Sequence, residues 1–473
     1  MVDERYGGGE AQPVGGAHEV PPYARLYDQA FHVDPDAAYE RLRAGGRVAW
    51  VEIEPGVRAV LVLDYDLILV ISRDASDTWT RRTSRWSAWS AGLVRPDSET
   101  AAMVAQRPNM LFAEGPEHRR LRAPVDTALR RIDMRELQAR VEQAAMDLID
   151  RCAEHGRAEL VGEYAVVLPL MAMSWLFGLD EMERWRLPDI MRRIWDADGD
   201  AARAADDLAR LMDSTVRRHS RGHASGPLTT GLLASSDTLR HEEIVATLVL
   251  TVGAGSQPAA NLIANTVYEI VTDPQVRDDL RTSALRVPDV VHHVLWARPP
   301  IAHYPPLVAR RDTVVDGVTI PRGTLVLLGL GPAGHRIHQA HGRPLHNRAY
   351  PAFGVGEHRC PADRHALAIA QTAVTTLLRE LPDLRLAVPA DQVTWRASPF
   401  ARALYRLDVE FTPRSPSFPV SHPAQKGGPG WQQPQPFGNS RPAPTSTAPS
   451  PRGSGAWARL FGSRSRGTSR RGR

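Results

Sequence analysis

Residues 353–362 read Phe353-Gly354-Val355-Gly356-Glu357-His358-Arg359-Cys360-Pro361-Ala362, and they lead straight into the alanine-rich, helically spaced segment Ala362–Glu380. Two glycines in G-x-G spacing permit a tight turn just before the cysteine. The cysteine then stands at a helix N-terminus, where the dipole and the free N–H groups favour a thiolate. A lone thiolate on such a loop can be the fifth ligand of a haem iron. The ordinary fate of a single cysteine is that of a small buried hydrophobe. Cys152, in a helical pattern without such a context, is read that way.

The chain around this loop has 473 residues, of which 42% are hydrophobic and 24% charged, so a sizeable buried core is expected and wholesale disorder is excluded. Its two cysteines exclude a disulfide scaffold and an all-cysteine zinc module. The first ten residues hold no apolar run of the secretory kind. The uncharged stretch 244–268 is long enough to span a bilayer. It carries Thr247, Thr251, Ser256, Gln257, Asn261 and Asn265, which suits a buried helix better than lipid. A cytoplasmic protein is the expectation.

The net charge of +4 is unevenly placed: residues 414–473 hold ten basic side chains and no acidic one, which leaves the rest at −6. The acidic body argues against a nucleic-acid partner. Composition divides the chain into a loose Gly/Pro-rich segment 1–22, a folded body 23–413, and a disordered basic Pro/Ser/Gly/Arg tail 414–473. In the tail, Trp457, Leu460 and Phe461 among arginines could touch an anionic membrane surface. Within the body, spacing predicts helices over Met134–Cys152, Glu181–Trp195, Asp198–His219, Leu239–Thr272, Gln275–Arg281 and Ala362–Glu380. Strands are expected at Arg47–Ile53 with Arg58–Leu63, at Thr313–Ile320 with Thr324–Leu328, and at Ala403–Phe411. The fold class is mostly α with small antiparallel sheets. His335, His338, His341 and His346 are read as lying in a polar Gly/Pro loop. Their spacing could suit a metal, but no acidic or cysteine partner accompanies them.

The ten-residue loop resembles the haem-binding loop of the cytochrome P-450 family at every constrained position. The resemblance extends over roughly residues 23–413 and implies that family's fold, with haem b (iron protoporphyrin IX) on Cys360. Phe353 and Gly354 would shape the haem loop. Glu114-Gly115-Pro116-Glu117-His118-Arg119-Arg120-Leu121-Arg122 is similar to the start of the family's C helix. It sets His118 and Arg122 on one helical face, where the resemblance has them bind the haem propionates. His358 resembles the residue that binds the other propionate. Val315–Thr324 looks like the hairpin before the haem loop.

Three departures accompany the matches. Ala254-Gly255-Ser256-Gln257-Pro258 stands where the family has an acid and an alcohol that help deliver protons during dioxygen activation. Gln257 does not titrate and Pro258 has no donor, so Gln257, Ser256 and Thr251 become the candidates for handling protons. Pro258 should also kink the helix. The ExxR motif is missing: His293 stands for its glutamate and Trp296 for its arginine, and tryptophan could replace the ion pair by packing. Leu307 falls where an arginine commonly meets a propionate. These features resemble an actinobacterial subgroup found with conservons. The reading that follows is a haem-thiolate monooxygenase taking electrons from a ferredoxin-type partner and oxidising a small organic substrate. A peroxide-driven oxygenase and a haem-bearing sensor or assembly subunit are the alternatives. The tail could engage conservon proteins or an anionic membrane.

Overall fold

The computed structural model describes residues 24–74, 78–196, 201–341 and 347–417. The segment 1–22, nearly all of the tail and His346 lie outside the described residues. Helices form where apolar residues recur at three- and four-residue spacing behind a capping side chain. Met134–Cys152 buries Leu137, Val141, Ala145, Leu148 and Ile149, and the Asp133 carboxylate accepts from the N–H groups of Arg135 and Glu136. Asp273 caps Pro274–Arg281 in the same way. Glu181–Asp196, Ala201–Ser220 and Asp363–Glu380 follow the predicted spacing.

The uncharged stretch forms the middle of the helix His241–Thr272. This helix packs on Val167–Phe177, Ala201–Ser220, Val287–Ala297 and Asp363–Glu380. Burial on several sides is why it is apolar all round. Helical structure continues through Pro258. Among the described residues no helix is long and apolar enough to cross a membrane.

The main sheet starts from the hairpin Val48–Glu54 and Val57–Val62, turned at Pro55-Gly56 with Gly56 at φ +79°. Val57–Val62 runs parallel to Leu325–Gly329, which pairs antiparallel with His303–Ala309. His303–Ala309 in turn pairs antiparallel with the short edge strand Trp79–Thr80. Ala24–Arg25 lies parallel at the opposite edge, so the sheet is mixed rather than purely antiparallel.

Four local expectations are corrected. Thr313–Ile320 is not one strand but the hairpin Thr313–Val315 and Val318–Ile320, reversed at Asp316 and Gly317, both with positive φ. Ala403–Phe411 is a strand only over Asp408–Glu410, which pairs with Arg157–Glu159 and Arg385–Leu386. His335, His338 and His341 sit on the helix Leu330–His341 rather than in a loop, and His335 is paired with Asp36 at 2.9 Å. The body does not stop at Pro413. Arg414 reaches buried Asp150 at 3.0 Å and Glu380 at 3.2 Å, and the Ser417 N–H donates to Asp150.

Candidate functional site

The loop 353–360 is closed by its own backbone. The Cys360 N–H donates to the Phe353 carbonyl at 2.7 Å, and the Gly354 N–H donates to Pro351 at 2.7 Å. Gly354 and Gly356 take φ of +73° and +76°, and a Cβ at Gly356 would come within 2.5 Å of the Ser72 carbonyl oxygen. The motif's glycines are therefore required by conformation and by close approach. The helix behind the loop starts at Asp363 with Ala362 as its cap, so Cys360 lies just outside the helix N-terminus. Burial holds its thiol above the ordinary value, against the lowering effect of the Ala362 backbone N–H. The helix terminus therefore does not by itself produce the thiolate expected from the sequence. A cation bound to the sulfur would have to do so.

Beside the loop, basic groups converge. His118 is 2% exposed on the helix Gly115–Arg130, its ring lies 4.1 Å from that of His358, and neither of its nitrogens has a hydrogen-bond partner. His358 is driven down to about 2, first by burial and then by Arg81, His118 and Arg122. Burial also lowers His118, although Glu357 opposes it. Both rings are thus neutral donors near neutral pH, and the positive charge comes from the guanidinium groups. Arg122 donates to Asp126 at 2.7 Å and to the Glu357 carbonyl at 3.3 Å. Arg81 is 7% exposed and shares a cavity with His358, Gly354, Tyr304 and Leu307. Sequence reasoning brought His118, Arg122 and His358 together and missed Arg81, which lies in no motif.

A cytochrome P450 of Saccharopolyspora erythraea is 30% identical over 311 residues, which cover 64% of this chain and 77% of that protein. The chain belongs to the cytochrome P450 family. The cytochrome P450 monooxygenase PikC of Streptomyces venezuelae is 29% identical over 423 residues, covering 84% of this chain and 96% of that protein. Among solved structures, CYP154C4 of a Streptomyces species superposes with a TM-score of 0.73 at 26% identity, over 82% of this chain and 98% of that one. A scan against protein-family models finds no match. The relatives include named monooxygenases and hydroxylases, and this chain is an oxygenase of the P450 family.

Membership implies a haem-iron cofactor, and the residues fit one. His118, Glu357 and His358 bring ligand atoms within 4.8 Å of one another, a spacing that could hold a metal ion. Arg81 and Arg122 stand beside them, so the cluster attracts carboxylates rather than a cation. Buried His118, whose ring nitrogens have no partner, the neighbouring His358 ring and two guanidinium groups suit the two propionates of a haem. In the middle of the long helix, Gly253 and Ala254 are exposed, and a Cβ at Gly253 would meet nothing within 4 Å.

The P450 departures also take shape. Ser256 is fully buried and donates to the Val252 carbonyl at 2.6 Å, while Thr251 donates to Thr247 at 2.8 Å. Both hydroxyls are tied to their own helix. Half-buried Gln257 donates to the Asn261 side chain at 3.1 Å. Behind the loop, Trp296 is 1% exposed and its indole N–H donates to the Asn347 carbonyl at 2.9 Å. The helix that carries Trp296 is tied by a carboxylate from another helix. Buried Glu269, from the long helix, meets His293 at 3.2 Å and also pairs with Arg298. Cys152 is partly buried, donates to the Ile149 carbonyl, and its thiol is pushed up to about 12 by burial, as befits an inert packing residue.

Proposed function

We propose that this P450 binds haem b through Cys360 and works as a monooxygenase, with electrons from a ferredoxin-type donor and a small organic molecule as substrate. The observation that carries the reading is the convergence of Arg81, Arg122, His118 and His358 on one side of the Cys360 loop. When bound, the haem supplies dioxygen activation at an iron whose thiolate ligand favours O–O cleavage. The chain's residues do the rest. Phe353 and Gly354 fix the loop, and the Phe353 carbonyl engages the Cys360 N–H. His118 and His358 donate hydrogen bonds to the propionates, while Arg122 and Arg81 balance their charge. Gln257 can orient a water but cannot release a proton. Ser256 and Thr251 can relay one only by leaving the carbonyls of Val252 and Thr247, so Gln257 is the stronger candidate for organising water.

The absence of ExxR together with Gln257-Pro258 supports placement in the conservon-associated actinobacterial subgroup. The relatives' names include a vitamin D(3) 25-hydroxylase and a 6-deoxyerythronolide B hydroxylase, which supports a largely apolar substrate. The haem domain would run from about residue 23 through Ser417. The remaining basic tail would meet an anionic surface, either a membrane or a conservon partner.

The test is spectroscopic. Cys360→Ala should abolish the thiolate-type spectrum of the reduced carbonyl complex and Cys152→Ala should leave it intact. A normal spectrum in Cys360→Ala would overturn the assignment. Turnover on a substrate panel with ferredoxin and reductase, against turnover with peroxide, separates the monooxygenase from a peroxide-driven oxygenase. Failure of both on a haem-loaded protein would favour a sensor or assembly subunit. Gln257→Glu should lower peroxide release per NAD(P)H consumed, because a titratable group then joins the proton path.

A further inference from the structure

Leu307 replaces an arginine on the strand His303–Ala309, yet the positive charge has not left this part of the sheet. In the antiparallel pair, Trp79 faces Ala309 and Thr80 faces Val308. The ladder ends there, and continuing its register by one position past the strand would set Arg81 against Leu307. Directly opposed residues of an antiparallel pair project to the same face, and both side chains line the same cavity, with Tyr304 and His358. The Arg81 guanidinium donates to the Tyr304 hydroxyl at 3.3 Å and lies 5.7 Å over that ring. Among the described residues no carboxylate pairs with it within 4.0 Å. Its backbone is held: the Arg81 N–H and the Thr80 hydroxyl both donate to Glu114, which also pairs with Arg310 at 2.9 Å. A guanidinium that is 7% exposed is costly unless an anion compensates it.

We propose that Arg81 is a haem-propionate ligand, taking over from just past the edge strand the charge that Leu307 does not supply, with Tyr304 orienting its guanidinium. The inference rests on the haem reading above. It predicts that Arg81 and Leu307 are exchangeable as a pair. The full chain loaded with hemin is compared as wild type, Arg81→Leu, and Arg81→Leu combined with Leu307→Arg. The readout is the rate at which hemin passes to an excess of a high-affinity apo-haem acceptor protein. Arg81→Leu should lose hemin roughly tenfold to a hundredfold faster, the loss of one charge-assisted pair. The exchanged variant should recover most of that. With hemin dimethyl ester, which lacks propionate charge, wild type and Arg81→Leu should release at the same rate. A purely structural role would accelerate release of both porphyrins equally.

Hemin leaving Arg81→Leu at the wild-type rate, or an equal acceleration with the ester, overturns the inference. A wild type that takes up no hemin overturns instead the reading on which it rests, and does so without any variant. Should Arg81→Leu fail to fold, Arg81→Gln carries the same comparison: release must quicken for hemin and not for the ester.

Discussion

The loop 353–360 and the helix Val287–Ala297 are joined through Tyr350, and they are held in shape by opposite means. The loop is held by neighbours in sequence: Phe353 with Cys360 and Pro351 with Gly354. The helix is held by distant partners. Glu269 pairs with His293 from 24 residues away, Trp296 reaches Asn347, and His292 meets the Tyr350 hydroxyl at 2.8 Å. Tyr350 lies 6.0 Å from the Trp296 ring and 6.1 Å from Phe353, which joins the two regions. A locally closed element cannot lose one residue without losing its shape. A distributed brace can exchange members, provided the charges still balance.

The largest effect should come from upsetting that balance. Glu269→Gln leaves Arg298 and His293 without their carboxylate. A broken buried pair costs about 3–5 kcal/mol, but Arg298 is 32% exposed, so a loss of about 2–4 kcal/mol of unfolding free energy is expected in urea denaturation. His293→Glu should destabilise more than His293→Gln, because it sets a second carboxylate against Glu269. A His293→Glu protein as stable as wild type would dismiss the Glu269–His293 pair.

The loop should be nearly as sensitive at Gly356. An alanine there takes a left-handed conformation and meets the Ser72 carbonyl. A loss of about 2–3 kcal/mol and faster hemin release are expected. Gly253→Ala, which meets nothing within 4 Å, is the control and should leave stability within about 1 kcal/mol of wild type.

Acid should act mainly on the buried imidazoles. His292 and His303 are driven down to about 4, chiefly by burial. Each is neutral in the folded chain, whereas unfolded chains protonate near 6.5. Stability should therefore be complete above about pH 6.5 and fall as the pH drops toward 4, at about 1.4 kcal/mol per unit for each histidine. Urea midpoints across that window test this, and His292→Gln should flatten the slope by about one proton. A flat profile between pH 7 and 5 would contradict buried neutral histidines.

The same contrast explains what could be read from sequence. The capped helices are legible in their spacing, and the loop 353–360 and His118 with Arg122 each lie within one turn or one helix, where resemblance of a short motif can find them. Val167–Phe177 is buried on nearly every side and shows no periodicity to find. Leu330–His341 has the Gly, Pro and His content of a loop, yet its Gly334 packs so tightly on the Trp296 backbone that no Cβ would fit. Arg81 becomes visible only once the cavity it shares with Leu307 is known, and Glu269 only once its helix lies against His293. Arg414 was assigned to the tail because composition changes there, while its partner Asp150 lies 264 positions earlier.

The smallest effect should belong to Trp296→Phe, and it asks whether the indole braces by packing alone. Phenylalanine keeps an aromatic ring against Tyr65 and Tyr350, whose rings lie 5.9 and 6.0 Å from that of Trp296. It loses the N–H that donates to Asn347 and some buried volume. Asn347 is exposed, so water can satisfy the abandoned carbonyl and only the net worth of the bond is lost. That worth is about 1 kcal/mol, with a similar amount for the smaller ring, so the unfolding free energy from urea denaturation should fall by about 1–2 kcal/mol. The Cys360 amide, bonded to the Phe353 carbonyl, should exchange its proton faster, because Tyr350 connects Trp296 to Phe353. Reduced stability with unchanged exchange at Cys360 would make Trp296 a core residue of its own helix and leave the loop to support itself.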